Sequence, residues 1–127
     1  AINRTLSLVI VTHGKNPFLI ETLKSVANQI FPPHQIIVIC STDEATYLEI
    51  LYTLNQLGIA SVVIHTEDGD AAANRNAALE YISGDFVVFL DGDDLLAPSA
   101  IMLFLSNAKM SNAVGASCAN FRDAGAV

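Results

Sequence analysis

Four short runs of this chain are almost wholly apolar and rich in β-branched residues: "LSLVIVT" (6–12), "QIIVIC" (35–40), "ASVVIHT" (60–66) and "DFVVFLD" (85–91). Nothing else in the sequence restricts the fold as much. A strand with one wet face alternates apolar and polar residues, whereas a strand covered on both faces is apolar throughout. Each gap between the runs holds the signals of one helix. Asn16 and Pro17 are a cap and a first-turn proline. Leu19, Leu23, Val26, Ala27 and Ile30 follow at helical spacing until "FPPH" stops the helix. Ser41, Thr42 or Asp43 can cap a second helix, which carries Tyr47, Leu51, Leu54 and Leu57 and ends at Gly58. A polar loop, "EDGD", leads to a third helix over residues 71–82, closed by Gly84. Pro98 opens a fourth, through about Lys109, and "AVGASCANF" (113–121) reads as a fifth strand.

Strands alternating with helices predict an α/β fold, a three-layer α/β/α sandwich around a mostly parallel, Rossmann-like sheet. Crossovers in such sheets are right-handed. Their ligand crevice lies beyond the carboxyl ends of the strands, where the strand order switches direction. Thr12 and His13, Cys40 to Asp43, and Asp91 to Asp94 end three of the strands, so all three groups are expected at one crevice. The 127 residues suit a single domain, and a composition 52% hydrophobic suits a sheet covered on both faces.

A formal net charge of −7 argues against nucleic acid as a partner. No apolar run reaches the ~18 residues of a membrane span, and the start, "AINRTLSLVIVTHG", reads as a strand and not as a signal peptide. Cys40 and Cys118 are far apart and lie in or beside strand-like segments. They are expected to be free buried thiols in a reducing compartment, which points to the cytoplasm.

The chemistry concentrates in "FVVFLDGDD" (86–94). Three carboxylates this close repel one another, and burial would raise their pKa values. A divalent cation relieves both effects, since Mg²⁺ and Mn²⁺ take one or two carboxylates and leave room for water and phosphate. Gly92 would let the backbone turn and a bulky ligand approach. The same residues also fit a plain turn and helix cap. The loop lacks the spacing and distal Glu of an EF-hand. Arg75, in "DAAANRNAALEYISGD" (70–85), could offer its planar fork to a phosphate or carboxylate, or simply pair with a surface acid. Of the three histidines, His13 stands where it can contact a ligand; a structural or solvent role is the plainer reading for each.

In order and spacing these segments resemble family 2 glycosyltransferases with the GT-A fold, from residue 5 to about 105. The helix pattern L-x-S-V-x-x-Q is matched by Leu23, Ser25, Val26 and Gln29. A second pattern, A-x-x-R-N-x-A/G-L, is matched by Ala72, Arg75, Asn76, Ala78 and Leu79. Ser83, Gly84, Phe89, Leu90, Asp91, Asp93 and Asp94 match the strand and acidic motif. The resemblance implies a nucleotide-diphospho-sugar donor, a UDP-sugar above all, and Mn²⁺ or Mg²⁺ as cofactor. Asp93, with Asp91, would hold the metal. Asp91 would also contact the ribose or sugar, Asp94 would help shape the site, and Thr12 would line the nucleotide pocket beside His13 and Gly92. Arg75 would contact the nucleotide or donor. The implied reaction is direct displacement by a hydroxyl of a carbohydrate or lipid-linked acceptor, with inversion.

Two departures from the family pattern carry expectations of their own. Its second strand commonly ends in V-D-D-G-S-T-D, whose first acid reads the base; here "VICSTD" places Cys40 in the acidic position, and Asp43 could move inward to compensate or could cap the next helix. The acceptor half with its catalytic base normally follows in the family. This chain is therefore expected to be a donor-binding portion, truncated before the acceptor-binding part and inactive alone. The competing reading is a non-catalytic nucleotide-sugar-binding module. A response-regulator-like phosphoacceptor needs acids at the end of the first strand, and Thr12-His13-Gly14 supplies none.

Overall fold

The computed structural model describes residues 4–66 and 71–107. Strands β1 (Leu6–His13), β2 (Gln35–Ser41), β3 (Val62–Thr66) and β4 (Phe86–Asp91) alternate with helices α1 (Leu19–Ala27), α2 (Glu44–Gln56), α3 (Ala71–Leu79) and α4 (Ala100–Asn107). Each of the first four predicted strands and the four predicted helices is present. The predicted fifth strand and Lys109 lie outside the described residues. No helix among the described residues is long and apolar enough to cross a membrane.

The sheet order is β3-β2-β1-β4, and every neighbouring pair is parallel. Right-handed crossovers then dictate the layers. From β1 through β2 to β3 the chain steps one way, so α1 and α2 cover one face. It then jumps back past β1 to β4, so α3 must cover the other. The core divides accordingly. Leu8, Ile10, Val38, Val88 and Leu90 pack with Leu23, Ile50 and Ile101 on the first face, where α4 joins α1 and α2. Val9, Ile37, Ile39 and Val87 pack with Ala78 of α3 on the second. The strands look continuously apolar because alternate residues serve different layers.

Several expectations shift. α1 begins at Leu19 with Phe18 at its N-cap, so Asn16 and Pro17 lie in the turn before it, Asn16 Oδ1 accepting from the Phe18 N–H at 3.0 Å, and α4 begins at Ala100, two residues after Pro98. α1 stops at Ala27, and Ile30 is 65% exposed. The chain has left the helix by then, and the Ile30 N–H bonds the Pro98 carbonyl at 2.8 Å. On α2 the buried stripe is Thr46, Ile50 and Leu54, with Tyr47 and Leu57 half-buried beside it and Leu51 outside that stripe. The helix does close at Gly58, whose φ is 68°. α3 ends at Leu79, three residues before the predicted end.

Gln35 ties the amino ends of the strands together. Its Oε1 accepts from the Ser7 hydroxyl and from both the N–H and hydroxyl of Ser83, at 2.7, 3.0 and 3.1 Å. Gly84 sits against this knot, its N–H donating to the Ser7 Oγ at 2.8 Å. A Cβ there would lie 2.7 Å from the Ser7 backbone nitrogen and 3.0 Å from the Leu6 carbonyl carbon. Backbone cannot swing away as a flexible side chain would. Gly84→Ala is therefore expected to cost about 1–3 kcal/mol, read as a lower midpoint in urea unfolding at an unchanged slope. An unchanged midpoint would show that β1 and β4 move apart freely there.

Candidate functional site

The strand order reverses between β1 and β4, which are neighbours in the sheet but distant in sequence. At their carboxyl ends an open cleft of about 470 Å³ is lined by Thr12 and His13 of β1, the loop from Lys15 to Phe18, and Asp91, Gly92 and Asp93. This is where a doubly wound sheet is expected to hold its ligand. Thr12 is buried in the floor and His13 is exposed at the rim.

One carboxylate oxygen each from Asp91, Asp93 and Asp94 lies within 4.8 Å of the others. A tight turn gathers them. The Asp94 N–H bonds the Asp91 carbonyl at 3.0 Å, and the Gly92 N–H bonds the Val11 carbonyl at 2.8 Å. The backbone is tightly enclosed here: a Cβ on Gly92 would meet Thr12 Cβ and Asn16 Nδ2 at 3.0 Å and the Val11 carbonyl oxygen at 3.1 Å. Asp91 and Asp93 are exposed and Asp94 is half-buried. Hard oxygen donors at this separation, open on one side, fit a divalent cation that keeps other ligands from water or phosphate.

The guanidinium carbon of Arg75 stands 5.5 Å from the centroid of the Phe89 ring. Phe89 precedes Asp91 by two residues, so the two share a sheet face. Arg75 is thus steered by a cation–π contact toward the strand end that carries the acids. Sequence reasoning passed over its neighbour Asn74, which is fully buried and accepts a 3.0 Å bond from the Thr66 hydroxyl, tying α3 to the end of β3.

The end of β2 does not join the cleft lining. Cys40 is fully buried in the core with Leu8, Val38 and Leu23, and burial pushes its thiol up to about 12. Asp43 is exposed and caps α2, accepting from the Thr46 N–H at 2.8 Å. The Thr46 hydroxyl, which has no partner of good geometry, also faces this carboxylate. That hydroxyl and then the N–H hold the Asp43 pKa below its ordinary value, with Lys15 and His65 adding smaller effects. His65 is structural: it stacks on Tyr47 with ring centroids 4.3 Å apart, and its Nε2 lies 2.8 Å from the Thr42 carbonyl oxygen.

The sequence matches the profile described as Glycosyl transferase family 2 over residues 7–125. The chain belongs to this family. It is 35% identical, over 76% of its length, to the uncharacterized glycosyltransferase YwdF of Bacillus subtilis. It is 32% identical, over 71%, to the poly(ribitol-phosphate) beta-N-acetylglucosaminyltransferase TarS of Staphylococcus aureus. The match spans 35% of the first protein's length and 16% of the second's. The crystal structure of TarS 1-349 in complex with UDP-GlcNAc aligns over 80% of this chain and 30% of that one, with a TM-score of 0.69 and 24% identity. A mannosyltransferase from Pyrobaculum calidifontis, in complex with GDP-Man and Mn²⁺, aligns over 77% of this chain and 30% of that one, with a TM-score of 0.67 and 21% identity. These likenesses bear out the GT-A type of α/β fold.

Proposed function

We propose that these residues are the donor-binding part of a metal-dependent glycosyltransferase. It would take a nucleotide-diphospho-sugar, a UDP-sugar above all, and pass the sugar with inversion to a hydroxyl of a carbohydrate or lipid-linked acceptor. One observation carries this reading. Three carboxylates lie within 4.8 Å of one another, and two of them, Asp91 and Asp93, line a cleft at the switch point of the sheet. The nucleotide-sugars bound by TarS and by the mannosyltransferase, and the Mn²⁺ of the latter, support it.

Asp93, with Asp91, would hold the Mn²⁺ or Mg²⁺, which when bound neutralises the diphosphate and stabilises the departing nucleoside diphosphate. Asp91 would also accept from ribose or sugar hydroxyls, and Asp94 closes the turn that aims both. Gly92 leaves the backbone bare where the diphosphate approaches. Thr12 and His13 line the nucleotide side, and Arg75 offers two parallel donors to a phosphate. Asp43 caps α2 outside the cleft lining, so it would meet the donor only at its outer edge. The acceptor surface and the base that deprotonates the acceptor are assigned to parts of the enzyme outside the described residues. The buried free thiol of Cys40 suits the reducing interior of the cytoplasm.

Calorimetric titration with UDP-GlcNAc is expected to give saturable binding in Mn²⁺ that is lost in a chelator. Equal affinity in both buffers would remove the metal from the reading.

A further inference from the structure

Thr22 and Ser25 of α1, and Gln29 just beyond it, are spaced three and four residues apart, so they project along one line. Each reaches the backbone of the segment that follows β4. The Thr22 hydroxyl donates to the Gly92 carbonyl at 2.8 Å. The Ser25 Oγ accepts from the Leu96 N–H at 3.1 Å. Gln29 donates through Nε2 to the Ala97 carbonyl at 2.7 Å and accepts at Oε1 from the Ile101 N–H at 3.2 Å. The Gly92 carbonyl takes a second bond, from Asn16 Nδ2, also at 2.8 Å.

Gly92 is therefore held on both sides. Its N–H is fixed by Val11 and its carbonyl by Asn16 and Thr22. Asp91 precedes it and Asp93 follows it, so these bonds set the rotation of the peptide planes that carry both carboxylates. The geometry points to Thr22 as a positioning residue of the acidic cluster, acting with Asn16 through the Gly92 carbonyl. This rests on the reading of the cluster as a cation seat. Like charges separate when they are free to. A turn that loses one of its two carbonyl donors lets Asp91 and Asp93 swing apart, and a cation must then reassemble its own site. Thr22 is fully buried, so any effect of changing it on a ligand in the cleft is indirect; its hydroxyl also lies 3.3 Å from the Phe18 carbonyl of its own helix start, and exchange at the turn amides separates the two routes.

The test compares Thr22→Val, which keeps shape and loses the hydroxyl, with Thr22→Ser, which keeps the hydroxyl. Ser25→Ala serves as a control on the same line of bonds, away from Gly92. Free Mn²⁺ is read by electron paramagnetic resonance, and exchange of the Asp93 and Asp94 amide protons by NMR in chelator. Thr22→Val is expected to weaken Mn²⁺ binding about 10–100-fold, the range found for groups that orient metal ligands from behind. Exchange at the two amides should rise with it. Thr22→Ser should stay near wild type, and Ser25→Ala should lower the melting temperature without changing Mn²⁺ affinity. Wild-type Mn²⁺ affinity and exchange in Thr22→Val would overturn the inference, leaving Thr22 a packing residue. If wild-type protein itself binds no Mn²⁺, the cation reading fails. The exchange data then decide the positioning role alone, faster exchange in Thr22→Val sustaining it and unchanged exchange overturning it.

Discussion

Replacing Asp93 with alanine is expected to abolish the Mn²⁺-dependent part of UDP-sugar binding while leaving the fold intact. The three carboxylates are brought together by a turn whose Asp94 N–H bonds the Asp91 carbonyl, and without a cation their proximity only costs free energy. A hard divalent ion gains most from charged oxygen ligands. Removing one of the two assigned ligands should lower Mn²⁺ affinity by about 100-fold or more, since groups that merely orient a ligand are already worth about 10–100-fold. Asp93 is exposed, and exposed substitutions usually change stability by within about 0.5 kcal/mol. The melting temperature in chelator should accordingly stay near wild type. Titrating Mn²⁺ and then UDP-GlcNAc into wild type and Asp93→Ala separates the two effects. Mn²⁺ affinity that survives the substitution would mean that the cluster is a plain turn and no more, since the next helix begins only at Ala100.

The strands were legible because residues such as Leu8 and Val9 are both buried, one against α1 and α2 and the other against α3. A sheet covered on both faces writes itself as uninterrupted apolar runs. The carboxyl-end crevice followed from handedness and alternation, and the acids of the acidic turn stood out because charge rarely follows such a run at once. The polar residues of α1 were less legible. Thr22, Ser25 and Gln29 were noted, where they were noted at all, only as matches to a pattern. At helical spacing beside Leu23 and Val26 they look like the wet margin of an amphipathic helix. Only the return of the chain after β4 turns that margin inward. The signal that could have found them is their regular spacing next to the apolar stripe. Asn74 was hidden in the same way by the charge of Arg75.

Cys40 is the free buried thiol expected of it, but it does not stand at the crevice, and the reason can be tested by an experiment with a large expected effect. Its place after "QIIVI" puts it at a strand end, where the resemblance implied an acid facing the ligand. Which way a side chain points from a strand depends on register, and a shift of one residue reverses it. Here Thr12 pairs with Cys40, so the two share a face, but Cys40 is one strand further from the switch point and lies under α1 and α2 in the core cluster with Leu23 and Ile50. The thiol tolerates this because it stays neutral, its pKa pushed up to about 12. A carboxylate in the same place would be buried without a partner, or would have to be protonated. Cys40→Asp is therefore expected to destabilise the protein by about 3–5 kcal/mol, the usual cost of an unpaired buried charge. That is a large share of the roughly 5–15 kcal/mol that holds a domain together. Cys40→Ala, which adds no charge, should cost far less. Urea unfolding at pH 8 and again at pH 5 checks the mechanism: a buried Asp has a raised pKa, so its penalty should shrink as pH falls toward that value. A Cys40→Asp protein that folds like wild type and binds UDP better than GDP would mean that this position faces the cleft and reads the base after all.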